Sequence, residues 1–132
     1  MYRIVALLVA GVVLVFGGRA LAHHSQVAVY HTDSEQKIEG KLVQVIIRSP
    51  HSWVQVEVKD DKGQLIRYGI EWGGASQLRG AGVDQKTLKI GDQVTVTGRP
   101  GRNPMDHRLL MMYIERPSDG WNWGNRPGEV VD

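Results

Sequence analysis

Apolar and polar residues alternate along the middle of this chain in short runs separated by turn signals, the period-two signature of half-buried β-strands. In KIEGKLVQVIIRS, residues 37–49, Ile38, Gly40 and Leu42 share one parity while Val43, Val45 and Ile47 share the other. A strand whose inward side switches in this way needs a bulge or a sharp bend, and Gly40 is a permissive place for it. SWVQVEVKD sets Val54, Val56 and Val58 on one face and Trp53, Gln55 and Glu57 on the other. DDKG, residues 60–63, reads as a hairpin turn, after which QLIRYGIEW brings Ile66, Tyr68, Ile70 and Trp72 into phase.

Beyond Gly73-Gly74, the stretch ASQLRGAGVDQKTLKIGD is too interrupted by glycine for a long helix and predicts one short helix near Ser76 to Arg79. QVTVTGR predicts a fourth strand with Val94 and Val96 inward. HRLLMMYIER predicts a fifth, after the turn-rich connection PGRNPMD. Five short strands, a helical connection between the third and fourth and a bent first strand match the all-β, five-stranded Greek-key barrel called the OB-fold. A small open β-sandwich is the alternative. The tail PSDGWNWGNRPGEVVD shows no periodicity and is expected to pack through Trp121 or Trp123 or to be disordered at its end, and no internal repeat is visible.

The first 22 residues belong to a different regime. Arg3 supplies a positive start, Ile4 to Gly17 is apolar and small, and Ala20-Leu21-Ala22 fits the small-x-small rule of a secretory cleavage site. The apolar run is shorter than the roughly 20 residues that span a bilayer. The expected organisation is therefore a signal peptide over 1–22, an amino-terminal segment over 23–35, an OB-like barrel over 36–116 and a tail over 117–132. The expected location is the periplasm or the exterior, with no membrane insertion once the signal is removed. Arg3 and Arg19 leave with the signal and no acidic residue does, so 14 basic residues then balance 14 acidic ones. The basic pI near 9.0 belongs in good part to the discarded segment, which argues against a nucleic-acid partner. With no cysteine, neither disulfides nor thiolate metal sites are available.

Cleavage after Ala22 would make His23 the first residue. The α-amine and ring Nδ1 of an amino-terminal histidine can close a chelate on one metal ion, and a second imidazole completes a set of three nitrogens that suits Cu(II). His24, His51 or His107 can supply that nitrogen. The loop between strands 1 and 2 carries His51 and the loop between strands 4 and 5 carries Met105 and His107, which in an OB barrel lie near one binding face. Met105 would add a soft thioether that favours Cu(I). The expected metal ligands are thus His23, His24, His51, His107 and Met105, with copper as cofactor and metal handling or delivery as function. The competing interpretation is that His23 and His24 form a polar leader and His51 merely caps a turn. Met111 and Met112 point to opposite faces of a strand, so at least one is expected to fill the core.

Other chemistry is excluded or weak. GGASQ lacks the second glycine of a nucleophile elbow, because Leu78 stands where it would be. No Walker loop, dinucleotide fingerprint or His-Glu-x-x-His occurs, and no catalytic residue is expected. Arg48, Arg99, Arg102 and Arg108 beside Trp53 would suit a single-strand-binding groove, a use at odds with a net-neutral exported chain. The second function class is a non-enzymatic module whose barrel face around Trp53 and Tyr68 binds a peptide, an envelope protein or a small molecule. A copper oxygenase is the third, with little substrate surface to offer in one small domain.

AHHS after a signal peptide, RSPHSW where the pattern is Asn-Pro-His-x-Trp, YGIEW followed by a Gly/Ser-x-x-x-Leu segment, and LKIGDQVTVTGRP together resemble a family of small exported bacterial proteins of unknown function. The resemblance covers most of residues 22–115. It implies a periplasmic OB-like domain and draws attention to His23, His24 and His51, without supplying an activity. Ser49 replaces the usual asparagine and PMDHRLLMM replaces a Gly-rich Asp-Gly turn, so the resemblance assigns nothing to His107.

Overall fold

A computed structural model describes residues 26–128. The expected signal peptide and both histidines of the pair, His23 and His24, lie outside the described residues. Residues 26–29 form a helical turn. Then come β1 (Gln36–Ile46), β2 (Ser52–Lys59), β3 (Leu65–Trp72), α1 (Ala75–Gly80), β4 (Gln93–Pro100), a 3-10 turn (Pro104–Asp106), β5 (Arg108–Arg116) and β6 (Trp121–Gly124).

The strands hydrogen-bond in the order β3-β2-β1-β4-β5-β6, and β3 also pairs in parallel with β5 through Gly69–Glu71 and Arg108–Leu110. That last pairing closes β1 to β5 into a barrel, with α1 between β3 and β4. The architecture is the expected five-stranded, OB-fold-like barrel, in which the β3–β5 pairing covers part of the edges that an open sheet would leave.

Alternation explains the core. Leu42, Val54, Val56, Ile70, Leu78, Val96, Leu109 and Ile114 are fully buried, each burial contributing about 1.5–3 kcal/mol relative to exposure. The parity switch in β1 is accommodated by a bulge, since Leu42 pairs with Val56 and Gln44 with Gln55. Val43 is the extra residue, three positions past the glycine expected to host the distortion. Gly40 is needed for a different reason, because a Cβ there would collide with the Glu57 carbonyl oxygen. The absence of a side chain is what lets β1 and β2 approach. In the hairpin turn, Asp60 Oδ1 accepts from the N–H groups of Lys62 and Gln64, and Gly63 takes a positive φ.

The tail packs on the core through Trp121 and Trp123, as expected, but does so as a strand that the sequence pattern does not announce. Trp121–Gly124 forms β6, antiparallel to β5 through pairs running from Tyr113–Gly124 to Arg116–Trp121. Thus β5 pairs with β3 at its start and with β6 along its second half. Trp123 packs edge-to-face on the buried Trp72 with ring centroids 5.2 Å apart, and Arg116 lies over Trp121.

Candidate functional site

The loop carrying His51 is held at several points. Ser52, fully buried, accepts from the Arg48 N–H and donates to the Arg48 carbonyl, both at 3.1 Å, which closes residues 48–52 into a tight turn. The Ser49–Pro50 peptide bond is cis. The Ala75 N–H donates to the Arg48 carbonyl, and a Cβ at Gly74 would come within 2.8 Å of the Pro50 carbonyl oxygen. The start of α1 therefore packs directly against this loop.

A second segment arrives from the opposite direction in sequence. The residues just after the histidine pair are strapped onto the β4–β5 connection: the Arg102 N–H donates to the Val29 carbonyl, the Arg102 Nε to the Val27 carbonyl, and the His31 N–H to the Pro100 carbonyl. Tyr30 forms a β-bridge with Gly101 and drives its side chain inward, where it is 1% exposed.

Glu71 joins the two segments. Its carboxylate is buried, and three groups surround it. The Tyr30 hydroxyl donates to Oε2 at 2.5 Å, His51 Nδ1 lies 3.3 Å from Oε1, and an Arg108 guanidinium nitrogen lies 3.5 Å from Oε2. Burial above all, then the hydrogen bond to Glu71, raises the Tyr30 phenol well above its ordinary range, so it stays a protonated donor. Arg108 is also sandwiched, 4.8 Å from the Trp53 ring centroid and 5.6 Å from that of Tyr30. Its buried Nε has no hydrogen-bond partner among the described residues, and the rings and Glu71 provide its compensation.

The imidazole of His51 is about half exposed and turns one nitrogen to a fixed carboxylate. A neutral imidazole in that position carries its proton on Nδ1 and keeps the Nε2 lone pair for another partner. Beside it lies a hollow of about 300 Å³ whose lining includes Gln26, His51, Trp72, Gln77, Met111 and Trp123. Gln26, two residues after His24, thus shares a hollow with His51.

The other candidates from the sequence are dispersed. His107, in a left-handed conformation after the 3-10 turn, lies edge-on to Tyr68 with ring centroids 5.3 Å apart and lines a separate hollow of about 190 Å³. Met105 is 78% exposed and lines neither hollow. The structure therefore does not gather His51, Met105 and His107 around one hollow. Among the described residues no three His, Asp or Glu side chains form a metal-holding group. Trp53 has one face against Arg108, and the Tyr68 hydroxyl accepts from Gln36 Nε2 at 3.1 Å. A larger groove of about 470 Å³, lined by Lys37, Thr95, Thr97, Tyr113 and Glu115 among others, contains none of the residues singled out from the sequence.

Sequence reasoning missed Tyr30 and Glu71. A lone carboxylate between Ile70 and Trp72, at the apolar end of the strand, was the available signal. By parity it reads as an outward, solvated residue, because the group that covers it lies 41 positions away.

No curated protein matches the chain. Among solved structures, a mitochondrial single-stranded DNA binding protein from S. cerevisiae is similar over 62% of this chain and 91% of its own, with 17% identity and a TM-score of 0.47. Residues 10–109 match the family of unknown function DUF6152, and the chain belongs to that family.

Proposed function

We propose that this chain is an exported copper-binding protein that handles or delivers the metal, with the processed amino terminus as its primary ligand. His23 contributes its α-amine and ring Nδ1, and His51 or His24 adds the third nitrogen. The observation that carries the reading is the sharing of one hollow by Gln26 and His51. At no more than about 3.6 Å per residue, the Cα of His24 lies within about 7 Å of that of Gln26 and the Cα of His23 within about 11 Å. The hydrogen bonds of Val27, Val29 and His31 hold residues 27–31 against the β4–β5 connection.

The donor set fits the ion. Amine and imidazole nitrogens in a tetragonal arrangement suit Cu(II), which stands at the top of the divalent affinity order. Glu71 acts here as the orienting carboxylate commonly found behind a ligating imidazole. Binding, without a catalytic step, is the role these residues support. The alternative docking face at Trp53 and Tyr68 has less support, because Arg108 covers one side of Trp53 and Gln36 engages the Tyr68 hydroxyl.

The test is a Cu(II) competition titration on protein exported so that its own peptidase sets the start. One equivalent is expected to bind, with affinity falling about tenfold or more in His51→Ala and in a variant extended by two residues before His23. Equal affinity in all three proteins overturns the reading.

A further inference from the structure

We propose that the groove of about 470 Å³ on the outer face of β1, β4 and β5 is a binding site for a neutral saccharide. It shares no lining residue with the hollow beside His51, so the proposal stands apart from the copper reading. Strand register sets the floor of the groove. Val94 and Val96 belong to the core cluster, and by alternation Thr95 and Thr97 face outward. Thr97 pairs with Lys37 of β1 on one side and Tyr113 of β5 on the other, and Thr95 pairs likewise with Glu39 and Glu115. Two cross-strand rows about 7 Å apart therefore each have a threonine at their centre. Both threonines are only 5% exposed although they lie outside the barrel, and neither hydroxyl has a hydrogen-bond partner among the described residues. Buried side-chain hydroxyls ordinarily find a partner, so this pair calls for one from outside the described chain.

The chemistry of the lining selects the ligand. A hydroxyl both donates and accepts, so another hydroxyl matches it better than an ammonium, which only donates, or a carboxylate, which only accepts. The charges around the threonines balance, Glu35 and Glu115 against Lys37 and Arg126, which favours an uncharged occupant. Glu115 is held as an acceptor. The Tyr113 hydroxyl donates to its Oε2 at 2.8 Å and Arg126 approaches the same oxygen at 3.8 Å, which leaves Oε1 to accept from a ligand. Lys37, across the threonines from Glu115, supplies a donor, since its 3.6 Å pair with Glu39 is exposed and weak. Pro127 adds an apolar wall of the kind that the C–H face of a sugar ring takes. A peptide fits less well, because β4 is hydrogen-bonded to β1 on one side and to β5 on the other and offers no strand edge to extend. The volume falls within the roughly 300–1,000 Å³ of small-molecule sites. One side is open to solvent, so the expected affinity is weak, with Kd about 1–10 mM.

The experiment follows backbone amide chemical shifts of the exported protein, free of added metal, during titration with maltose and with diacetylchitobiose. Gluconate, glucosamine and triglycine serve as anionic, cationic and peptide comparators. At least one of the neutral disaccharides is expected to give saturable shifts confined to Glu35–Glu39, Gln93–Thr97 and Tyr113–Glu115, with the three comparators binding about tenfold more weakly or not at all. The double variant Thr95→Val, Thr97→Val keeps the branched shape at both positions and removes both hydroxyls. It is expected to weaken the disaccharide about tenfold or more. No saturable shift with either disaccharide overturns the proposal, as do shifts that map elsewhere on the barrel. Tighter binding of a comparator in the groove, or undiminished binding in the folded double variant, also overturns it. The wild-type map decides the matter alone if the double variant does not fold.

Discussion

Replacing Tyr30 with phenylalanine removes one oxygen and tests whether the amino-terminal strap is fastened to the barrel by chemistry rather than by proximity. The lost interaction is a hydrogen bond of 2.5 Å from a fully buried phenol to a buried carboxylate, across 41 residues of sequence. Hydrogen bonds to charged groups contribute about 1.5–3 kcal/mol. Glu71 keeps His51 and Arg108 nearby, which places the expected loss in the lower half of that range, about 2 kcal/mol. For a domain of this size that corresponds to a fall in Tm of about 10 °C. Urea unfolding is the assay: the midpoint should drop with an unchanged m-value, and a double-mutant cycle with Glu71→Gln should return a coupling of about 1 kcal/mol or more. Amide exchange at His31 and Arg102 should accelerate as well, because their hydrogen bonds hold the strap. A stability change below about 0.5 kcal/mol, of the size seen for ordinary surface substitutions, refutes the tether.

The same phenol predicts a pH dependence, because its folded-state pKa is raised, chiefly by burial. The stability it contributes is complete below the unfolded tyrosine value near 10 and is lost as pH rises above it toward the folded value. The stability gap between wild type and Tyr30→Phe should therefore hold up to about pH 10 and narrow above it, and a gap that stays constant above about pH 10 contradicts the assignment. Glu71→Gln should cut Cu(II) affinity about 10–100-fold by releasing the orientation of His51, measured by competition titration. Leu42→Ala, at a fully buried site, should cost about 2–5 kcal/mol in a urea melt. Ile90→Ala, at a site 74% exposed, should stay within about 0.5 kcal/mol. Gly40→Ala would force a Cβ onto the Glu57 carbonyl, so thermal melting should show a destabilisation above about 2 kcal/mol or no folded protein, with wild-type stability as the contrary result.

The barrel was legible because its determinants are local. Val54 and Val56, Ile70 and Trp72, and Val94 and Val96 announce an inward face by parity alone, and DDKG and the glycines around α1 mark where strands must end. Three features were not legible for the opposite reason. WNWG is too short to show a period, so β6 emerges only once β5 has an edge free beyond its pairing with β3. The bulge falls at Val43 rather than at Gly40 because register against β2 decides it, and the glycine is required by a neighbouring carbonyl instead. Glu71 and Tyr30 are remote in sequence and each looks unremarkable alone. The candidate site was read in the same uneven way. His51 falls at the hollow that Gln26 shares, whereas Met105 and His107 were grouped with it by loop topology and are dispersed by the actual course of the β4–β5 connection.

The central claim is that the processed amino terminus and His51 share one copper ion. The most direct measurement is electron paramagnetic resonance of the exported protein loaded with one equivalent of Cu(II), after intact mass has established where the chain begins, in wild type and His51→Ala. A mass beginning at His23, with a tetragonal signal whose nitrogen hyperfine pattern loses one imidazole in His51→Ala, is the predicted result. A chain that begins elsewhere, or a copper signal identical in the two proteins, contradicts the claim.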